Sequence, residues 1–312
     1  MRAPAAGSLR ALLSIGTNST RLLLAKRSNA AWITVSQARR GTRLGQGLGP
    51  RGMLRDDAIA RTLAAAVEFV ARARENTPQI RAIATSAMRR ARNARALSAA
   101  LEARTGLQLE IIPGEEEARY SFVGALAGHG EGLSAGARVG VLDAGGGSTE
   151  FAVGAGARLE RSRSFEIGAV RLTEETPLRA DPPPPHALPA ARERARAALA
   201  GIAGLGAGVV RLICVGGTAT TCAAMLSLGA REAERVDGMT LARAELTALA
   251  ERLAPLRVSE RCAVPGLPAQ RADIIVGGLI VLEQALEALS IERAIVSVHD
   301  LLLGYVIDGW KA

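Results

Sequence analysis

SIGTNST at residues 14–20 and DAGGGST at residues 143–149 are two similar stretches far apart in the chain, with three identical residues in register. Each stands between two apolar runs that predict strands. A strand–turn–strand unit that occurs twice predicts two similar domains facing a cleft. Two unrelated hairpins remain the alternative, because Gly, Ser and Asn are common in any turn. In the alignment Ser14 stands opposite Asp143, and Arg21 stands opposite Glu150.

Strand patterns and helix patterns alternate along the rest of the chain, which predicts an α/β fold. One example is the helix predicted over residues 56–75, in which four large apolar residues recur at spacings of four, four and three. We expect these residues to form its buried face. They are Ile59, Leu63, Val67 and Val70.

Composition narrows the class of protein. The net charge of +9 in 312 residues favours anionic partners, although an Ala- and Arg-rich composition accounts for it equally well. Aromatic residues make up only 3% of the chain, and no nucleic-acid-binding module is recognisable, which disfavours nucleic acid as a partner. Three widely spaced cysteines indicate reduced thiols, and no run of about 18 apolar residues predicts a membrane span. We therefore expect a cytoplasmic protein without membrane contact.

The two Gly-rich turns are candidate phosphate sites. Glycine lets the backbone approach a ligand closely, and successive N–H groups form a concave site for anions. Two such turns that face each other would bind one phosphate chain from both sides. A third Gly-Gly turn, VGGTATT at residues 215–221, follows another apolar strand. Its Thr218 is equally well explained as a helix cap.

Acidic residues near these turns suggest a metal and a base. Asp143 and Glu150 flank the second turn, and Mg²⁺ takes one or two carboxylates together with phosphate oxygens. Their alternative roles are a strand-end turn acid and an exposed strand residue. In GEEEAR at residues 114–119 an acid could polarise a water, or all three could complement the helix dipole. Arg89 follows a predicted strand, where it could hold phosphate or simply start a solvated helix.

Nine segments resemble, in order, the exopolyphosphatase and guanosine pentaphosphate phosphatase (Ppx/GppA) family of the actin, Hsp70 and sugar-kinase superfamily. The resemblance runs from about Leu13 to Gly304. The segments are SIGTNSTRLLLA, TRLGQGL, ATSAMRRARN, IIPGEEEARYSFVGAL, VLDAGGGSTEFAVG, EIGAVRLTE, ADPPPP, VGGTATT and VPGLPAQRADIIVGGLIVLEQAL.

The resemblance implies two actin-like, ribonuclease H-like domains, each a mixed sheet flanked by helices, with a cleft between them. We expect residues 1–120 and 121–299 to form them, with a terminal helix at 300–312 packed back on the first. It implies release of orthophosphate from polyphosphate or guanosine pentaphosphate, or binding of guanosine tetraphosphate, with Mg²⁺ or Mn²⁺. A homodimer is left open.

Roles carry over residue by residue. Glu117 matches the family's general base and Arg89 the arginine of its Thr-Ser-Ala-x-Arg stretch, while Asp143 and Glu150 match its metal-associated acids. Phosphate binding is expected from Gly16, Thr17, Asn18, Ser19, Arg21, Gly145, Gly146, Gly147, Ser148, Gly216, Gly217 and Thr218.

Four departures from the family pattern reduce acidity near the cleft. Ser14 replaces the acid that usually opens the first turn, Gln46 replaces Glu, Arg90 stands where an acid is usual, and Val298 replaces Asp. They motivate a second hypothesis, a polyphosphate- or alarmone-binding protein with weak or no hydrolysis. A third hypothesis is a kinase or ATPase of the same superfamily, with VGGTATT near an adenine pocket.

Overall fold

The structure is a computed structural model that describes residues 9–29, 31–130, 136–227 and 236–310. Its strands are β1 (Leu9–Ile15), β2 (Ser19–Ser28), β3 (Ala31–Gly41), β4 (Ile80–Ala84), β5 (Leu109–Ile111), β6 (Arg138–Ala144), β7 (Thr149–Ala155), β8 (Arg158–Phe165), β9 (Arg211–Val215), β10 (Thr240–Ala242) and β11 (Arg293–Val296). Its α-helices are α1 (Asp56–Arg74), α2 (Ser86–Arg90), α3 (Ala94–Thr105), α4 (Gly114–His129), α5 (Ala169–Glu175), α6 (Ala187–Ala198), α7 (Ile202–Leu205), α8 (Gly216–Leu226), α9 (Arg243–Leu253), α10 (Val258–Arg261), α11 (Ile275–Ala288) and α12 (Leu301–Gly304). A π-helical turn, Tyr305–Gly309, continues α12.

The strands form two mixed sheets of the same design. The first has the order β3-β2-β1-β4-β5, with β1 antiparallel to β2 and parallel to β4. The second has the order β8-β7-β6-β9-β11, with β10 added at the far edge. There β6 is antiparallel to β7 and parallel to β9. The α/β fold class with two mixed sheets is therefore confirmed.

The two turns that suggested a duplication have the same backbone hydrogen bond. The N–H of Gly16 donates to the carbonyl of Ser19 at 3.0 Å. The N–H of Gly145 donates to the carbonyl of Ser148, also at 3.0 Å. The sequence alignment of the two stretches thus corresponds to an alignment of their backbones.

Helix α4 lies against the second sheet, and α12 lies against the first. Ala118, Phe122 and Ala125 of α4 belong to a buried cluster with β6, β7 and β9. Leu302 and Val306 belong to another, with apolar residues of β1, β2 and β4. The boundary predicted at residue 120 falls inside α4. The division into domains remains a prediction, and residues 1–8 and 311–312 of it lie outside the described residues.

Two glycines bring α4 and α12 into direct backbone contact. A Cβ on Gly124 would overlap the carbonyl of Asp300, and one on Gly304 would overlap the carbonyl of Tyr120. Only glycine allows this approach at both positions. The start of α12 is therefore fixed against the helix that carries Glu117.

The buried face of α1 differs from the one that its large residues predict. Of Ile59, Leu63, Val67 and Val70, only Val70 is buried, and the others are partly exposed. The buried residues are Ala58, Thr62, Ala65, Ala66, Phe69, Val70 and Ala73. Small side chains let the helix lie close to the sheet, so the larger aliphatic residues contact the edge of the core.

A search of the described helices for membrane spans found none with the length and hydropathy needed.

Candidate active site

A cavity of about 390 Å³ lies where the turns of the two sheets meet. Most residues expected at the site line it, and they come from strands and helices of both halves. These are Gly16, Thr17, Asn18, Ser19, Arg21, Glu117, Asp143, Gly145, Gly146, Gly147, Ser148, Glu150, Gly216 and Gly217. Arg89 and Thr218 are the two expected residues that do not line it.

The first and second turns touch each other across the cavity. A Cβ on Gly147 would lie 2.7 Å from the hydroxyls of Thr17 and Ser86. A Cβ on Gly146 would lie 3.1 Å from Cβ of Thr17. These glycines are required by close approach, which brings two sets of turn N–H groups to one place.

The residues that flank the turns form cross-strand pairs with different charges. Ser14 pairs with Arg21 between β1 and β2, and Asp143 pairs with Glu150 between β6 and β7. All four line the same cavity. The first cross-strand pair thus contributes a cation to the cavity, and the second pair contributes two acids.

The environment of the acidic pair disfavours its ionised form. Burial and the negative charge of Asp300 raise the pKa of Asp143 to about 6. Burial and the charge of Asp143 raise the pKa of Glu150 to about 7. Asp143 accepts a hydrogen bond from the hydroxyl of Ser121 at 3.1 Å. Glu150 accepts one from the hydroxyl of Ser164 at 2.7 Å and also interacts with the hydroxyl of Ser148. A cation placed between the two acids would relieve their repulsion.

Glu117 is the acid of the GEEEAR stretch that reaches the cavity. Glu117 lies in the first turn of α4, and only 6% of its surface is exposed. Glu115 is exposed, and Glu116 pairs with Arg119 at 2.7 Å. Two of the three acids therefore serve the helix surface, and one faces the site.

Arg89 lies behind Glu117 and does not itself line the cavity. Its Nη1 forms an ion pair with Oε1 of Glu117 and donates to the carbonyl of Ile112 at 3.0 Å. Its Nη2 lies 4.0 Å from Oε1 of Glu150. Arg89 thus links the expected base to one acid of the metal pair.

The two glycines that begin α8, Gly216 and Gly217, line the cavity. The hydroxyl of Thr218 donates instead to the carbonyl of Ala144 at 2.9 Å, so it ties α8 to the end of β6. Thr220 and Thr221, one helical turn further on, line the cavity. Sequence spacing alone did not separate these threonines.

Asp300 is a site residue that sequence reasoning missed. Its Oδ2 accepts a hydrogen bond from Nη2 of Arg21 at 2.6 Å, and its Oδ1 accepts one from the N–H of Leu302, which caps α12. The signal was an Asp immediately before the apolar run LLL, a typical N-cap position.

The four departures from the family pattern lie in different places. Ser14 and Val298 line the cavity, and Gln46 lines a smaller cavity of about 160 Å³. Arg90 lies 3.8 Å from Glu166.

The donor set at the second turn fits a hard divalent cation. Asp143 and Glu150 offer carboxylate oxygens from neighbouring strands, with the second Gly-rich turn between them. Within the described ranges no group of three or more His, Cys, Asp and Glu side chains is placed to hold a metal. Two carboxylates are what Mg²⁺ commonly takes when phosphate and water supply its remaining ligands.

Comparison with known proteins identifies the family of this chain. Residues 23–308 match the Ppx/GppA phosphatase family. The chain belongs to the Ppx/GppA phosphatase family. It is 35% identical over 318 residues to Exopolyphosphatase 2 of Mycobacterium tuberculosis, covering 96% of this chain and 97% of that protein.

Two crystal structures of similar proteins extend the comparison. The Ppx/GppA family member of Aquifex aeolicus superposes with a TM-score of 0.79 and 27% identity, covering 97% of each chain. An exopolyphosphatase-like protein superposes with a TM-score of 0.86 and 30% identity, covering 97% of this chain and 98% of that one. Ppx/GppA membership supports phosphatase activity in this chain, and phosphatases of the family generally depend on a divalent metal.

Proposed function

We propose that this chain hydrolyses the terminal phosphoanhydride bond of inorganic polyphosphate, or of guanosine pentaphosphate, and releases orthophosphate. The observation that carries the proposal is that one cavity is lined by two touching Gly-rich turns, an acidic pair and Glu117. The family membership and the relatives named exopolyphosphatase support the same reaction.

The two turns and Arg21 bind the terminal phosphate in this proposal. Backbone N–H groups of residues 16–19 and 145–148 supply donors from both sides, and Arg21 supplies a positive charge. Because Asp300 pairs with Arg21 at 2.6 Å, the guanidinium is held in place before substrate arrives. Preorganised donors stabilise a phosphoryl group in transfer without further rearrangement.

Asp143 and Glu150 would hold Mg²⁺, or Mn²⁺, beside the second turn. The bound cation supplies Lewis-acid neutralisation of the phosphoryl oxygens. Asp143 and Glu150 can hold the cation together because they are cross-strand neighbours on β6 and β7 and both line the cavity. Ser121 and Ser164 fix their orientation through the hydrogen bonds described above.

Glu117 orients the attacking water and accepts its proton at a carboxylate oxygen. The ion pair with Arg89 holds the carboxylate, and the hydrogen bond of Arg89 to Ile112 holds Arg89 in turn. The bond from water oxygen to the terminal phosphorus forms as the bridging P–O bond breaks, and the shortened chain leaves with the bridging oxygen.

A second candidate function is binding of polyphosphate or an alarmone without efficient turnover. The same ion pair favours it, because an arginine beside Glu117 stabilises the ionised carboxylate and weakens it as a base. The turns and Arg21 would still bind phosphate in that case.

Orthophosphate release from long polyphosphate and from guanosine pentaphosphate, with Mg²⁺, tests the proposal. We expect Glu117→Gln to lower kcat by at least about 100-fold. Glu115→Gln, in the same helical turn but exposed, is the matched control and should retain the wild-type rate. If wild type and Glu117→Gln are equally slow while calorimetry detects tight polyphosphate binding, the binding function replaces the hydrolytic one.

A further inference from the structure

We propose that Arg39 forms an extension subsite that binds phosphate groups further along an inorganic polyphosphate chain. The subsite lies on β3, beside Arg21 and Gln37, and this inference rests on the proposed substrate class. It adds a chain-length determinant that lies outside the two turns and the acidic pair.

The strand register places Arg39 in line with the first turn. Ser14 pairs with Arg21, and Arg21 pairs with Arg39, so the three side chains share one face of the first sheet. Strands lie about 4.8 Å apart, so the row extends roughly 10 Å from β1 to β3. All three residues, with Gln37, line the cavity that holds the catalytic groups. A linear substrate bound at the turns can therefore continue along this row.

The charges in the row leave one cation for a ligand. Arg21 is paired with Asp300 at 2.6 Å. Among the residues that the structure describes, Arg39 has no carboxylate within ion-pair distance. Arg39 keeps an exposed surface, and desolvation by its surroundings together with the positive charge of Arg21 lowers its pKa, with Asp300 only partly opposing this. A phosphate group that binds Arg39 beyond the one bound at Arg21 would offset this repulsion.

The next residue in the chain shows that the free cation is specific to the cavity face. Arg40 points to the opposite face of β3 and makes two hydrogen bonds to the carboxylate of Glu68, at 2.5 and 2.7 Å. Arg40 is neutralised on the outer surface, whereas its neighbour in the cavity is not. Substitution of Arg40 is therefore a matched control, because it removes the same side chain from the same strand and changes the net charge of the protein by the same amount.

The chemistry of the row favours a repeating polyanion over a nucleoside. A guanidinium forms paired hydrogen bonds with phosphate oxygens, and Gln37 adds an amide donor. No aromatic residue lines this cavity within the described ranges, so a base would find no stacking partner there. A long inorganic chain can contact the two turns and Arg39 at the same time, whereas the three phosphate groups of tripolyphosphate bind mainly at the turns.

Steady-state hydrolysis of long-chain polyphosphate and of tripolyphosphate tests the subsite. We expect Arg39→Gln to raise KM for the long chain about tenfold, as expected for loss of one charge-assisted contact, with kcat unchanged. KM for tripolyphosphate should change less than about twofold. Arg40→Gln should leave both KM values at the wild-type level, and Arg39→Lys should restore most of the long-chain affinity. Equal effects of Arg39→Gln and Arg40→Gln, or equal losses at both chain lengths, overturn the proposal.

Calorimetric binding of the same two polyphosphates separates this inference from the proposed activity. The binding measurement needs no turnover, so it gives a result even if the chain does not hydrolyse its ligand. Selective loss of long-chain affinity in Arg39→Gln without hydrolysis by wild type would retain the subsite and reject the catalytic function. Hydrolysis by wild type with unchanged long-chain affinity in Arg39→Gln would retain the catalytic function and reject the subsite.

Discussion

The β1–β2 turn and the β6–β7 turn have the same hydrogen bond and the same register, but their flanking side chains have different charges. The first turn is flanked by Ser14 and Arg21, and the second by Asp143 and Glu150. Both turns offer backbone donors to phosphate. In the proposed function, these two side chains in each half give the first half an affinity for the anion and the second half an affinity for a cation. The following substitutions test this division.

Removing an acid from the second turn should have the largest effect. We expect Asp143→Asn to lower the rate of metal-dependent phosphate release by at least about 100-fold, since even residues that only support a metal ligand contribute up to about that factor. Ser14→Asn, at the corresponding position of the first turn, should change the rate by less than about threefold. Similar losses of rate in both variants would show that the first and second turns do not have separate roles in binding the anion and the cation. Phosphate release over a range of Mg²⁺ concentrations measures both.

The acidic pair should also make stability depend on pH when metal is removed. The folded pKa values of about 6 and about 7 lie above the unfolded values of about 4, so the folded chain holds more protons between these limits. Their contribution to stability is complete below about pH 4 and is lost as the pH rises through about 7. We expect Tm in EDTA to fall by several degrees between pH 5 and pH 8 through these groups.

A double variant and added metal isolate that contribution. Asp143→Asn with Glu150→Gln should show a shallower fall of Tm and a higher Tm than wild type at pH 8 in EDTA. Mg²⁺ should raise the Tm of wild type at pH 8, because it binds the folded chain, and leave the double variant unchanged. Parallel pH curves for the two proteins would rule out the acidic pair as the source.

Adding an acid to the first turn should weaken substrate binding. Ser14 is buried beside Arg21, so Ser14→Asp would place a carboxylate against that guanidinium. We expect KM for polyphosphate to rise about tenfold, because Arg21 would be neutralised from two sides. Ser14→Asn controls for size. A higher kcat in Ser14→Asp would instead show that the acid absent from residue 14 limits turnover.

Removing the partner of Arg21 should have the smallest effect. Asp300→Asn retains a good N-cap for α12 but removes one negative charge next to Arg21. We expect KM for polyphosphate to fall about two- to threefold, the size of a partly exposed ion pair. Steady-state kinetics at two salt concentrations would measure it, and the difference should shrink at high salt. A raised KM would show instead that holding Arg21 in place outweighs the charge that Asp300 neutralises.

Much of this site was accessible from the sequence because it depends on local patterns. The two Gly-rich turns and the α/β alternation follow from composition and periodicity, and Glu117 was identified by family resemblance among three adjacent acids. Arg39 could not be found in this way, since its position depends on pairing between β2 and β3, which includes a register shift at Leu24/Ala25.

Other differences come from packing between distant segments. Asp300 lies near Arg21 only because α12 packs on the first sheet, 279 residues away in sequence. The buried face of α1 consists mainly of Ala and Thr together with Phe69 and Val70, and a search for recurring large aliphatic residues does not reveal it. Thr218 binds a carbonyl of β6, and no spacing rule predicts that contact.

The contact of α12 with the first sheet has a consequence for biosynthesis. Leu12, Leu23 and Ile83 remain without this apolar partner until Leu302 and Val306 have been made. About 190 residues lie between the end of β5 and the start of α12, so at about 5–20 residues per second roughly 10–40 s separate synthesis of the first sheet from synthesis of α12. During that time one face of the nascent sheet is exposed to water and available to chaperones. The salt bridge between Arg21 and Asp300 forms only when that interval ends, so the proposed phosphate site is incomplete in a shorter nascent chain.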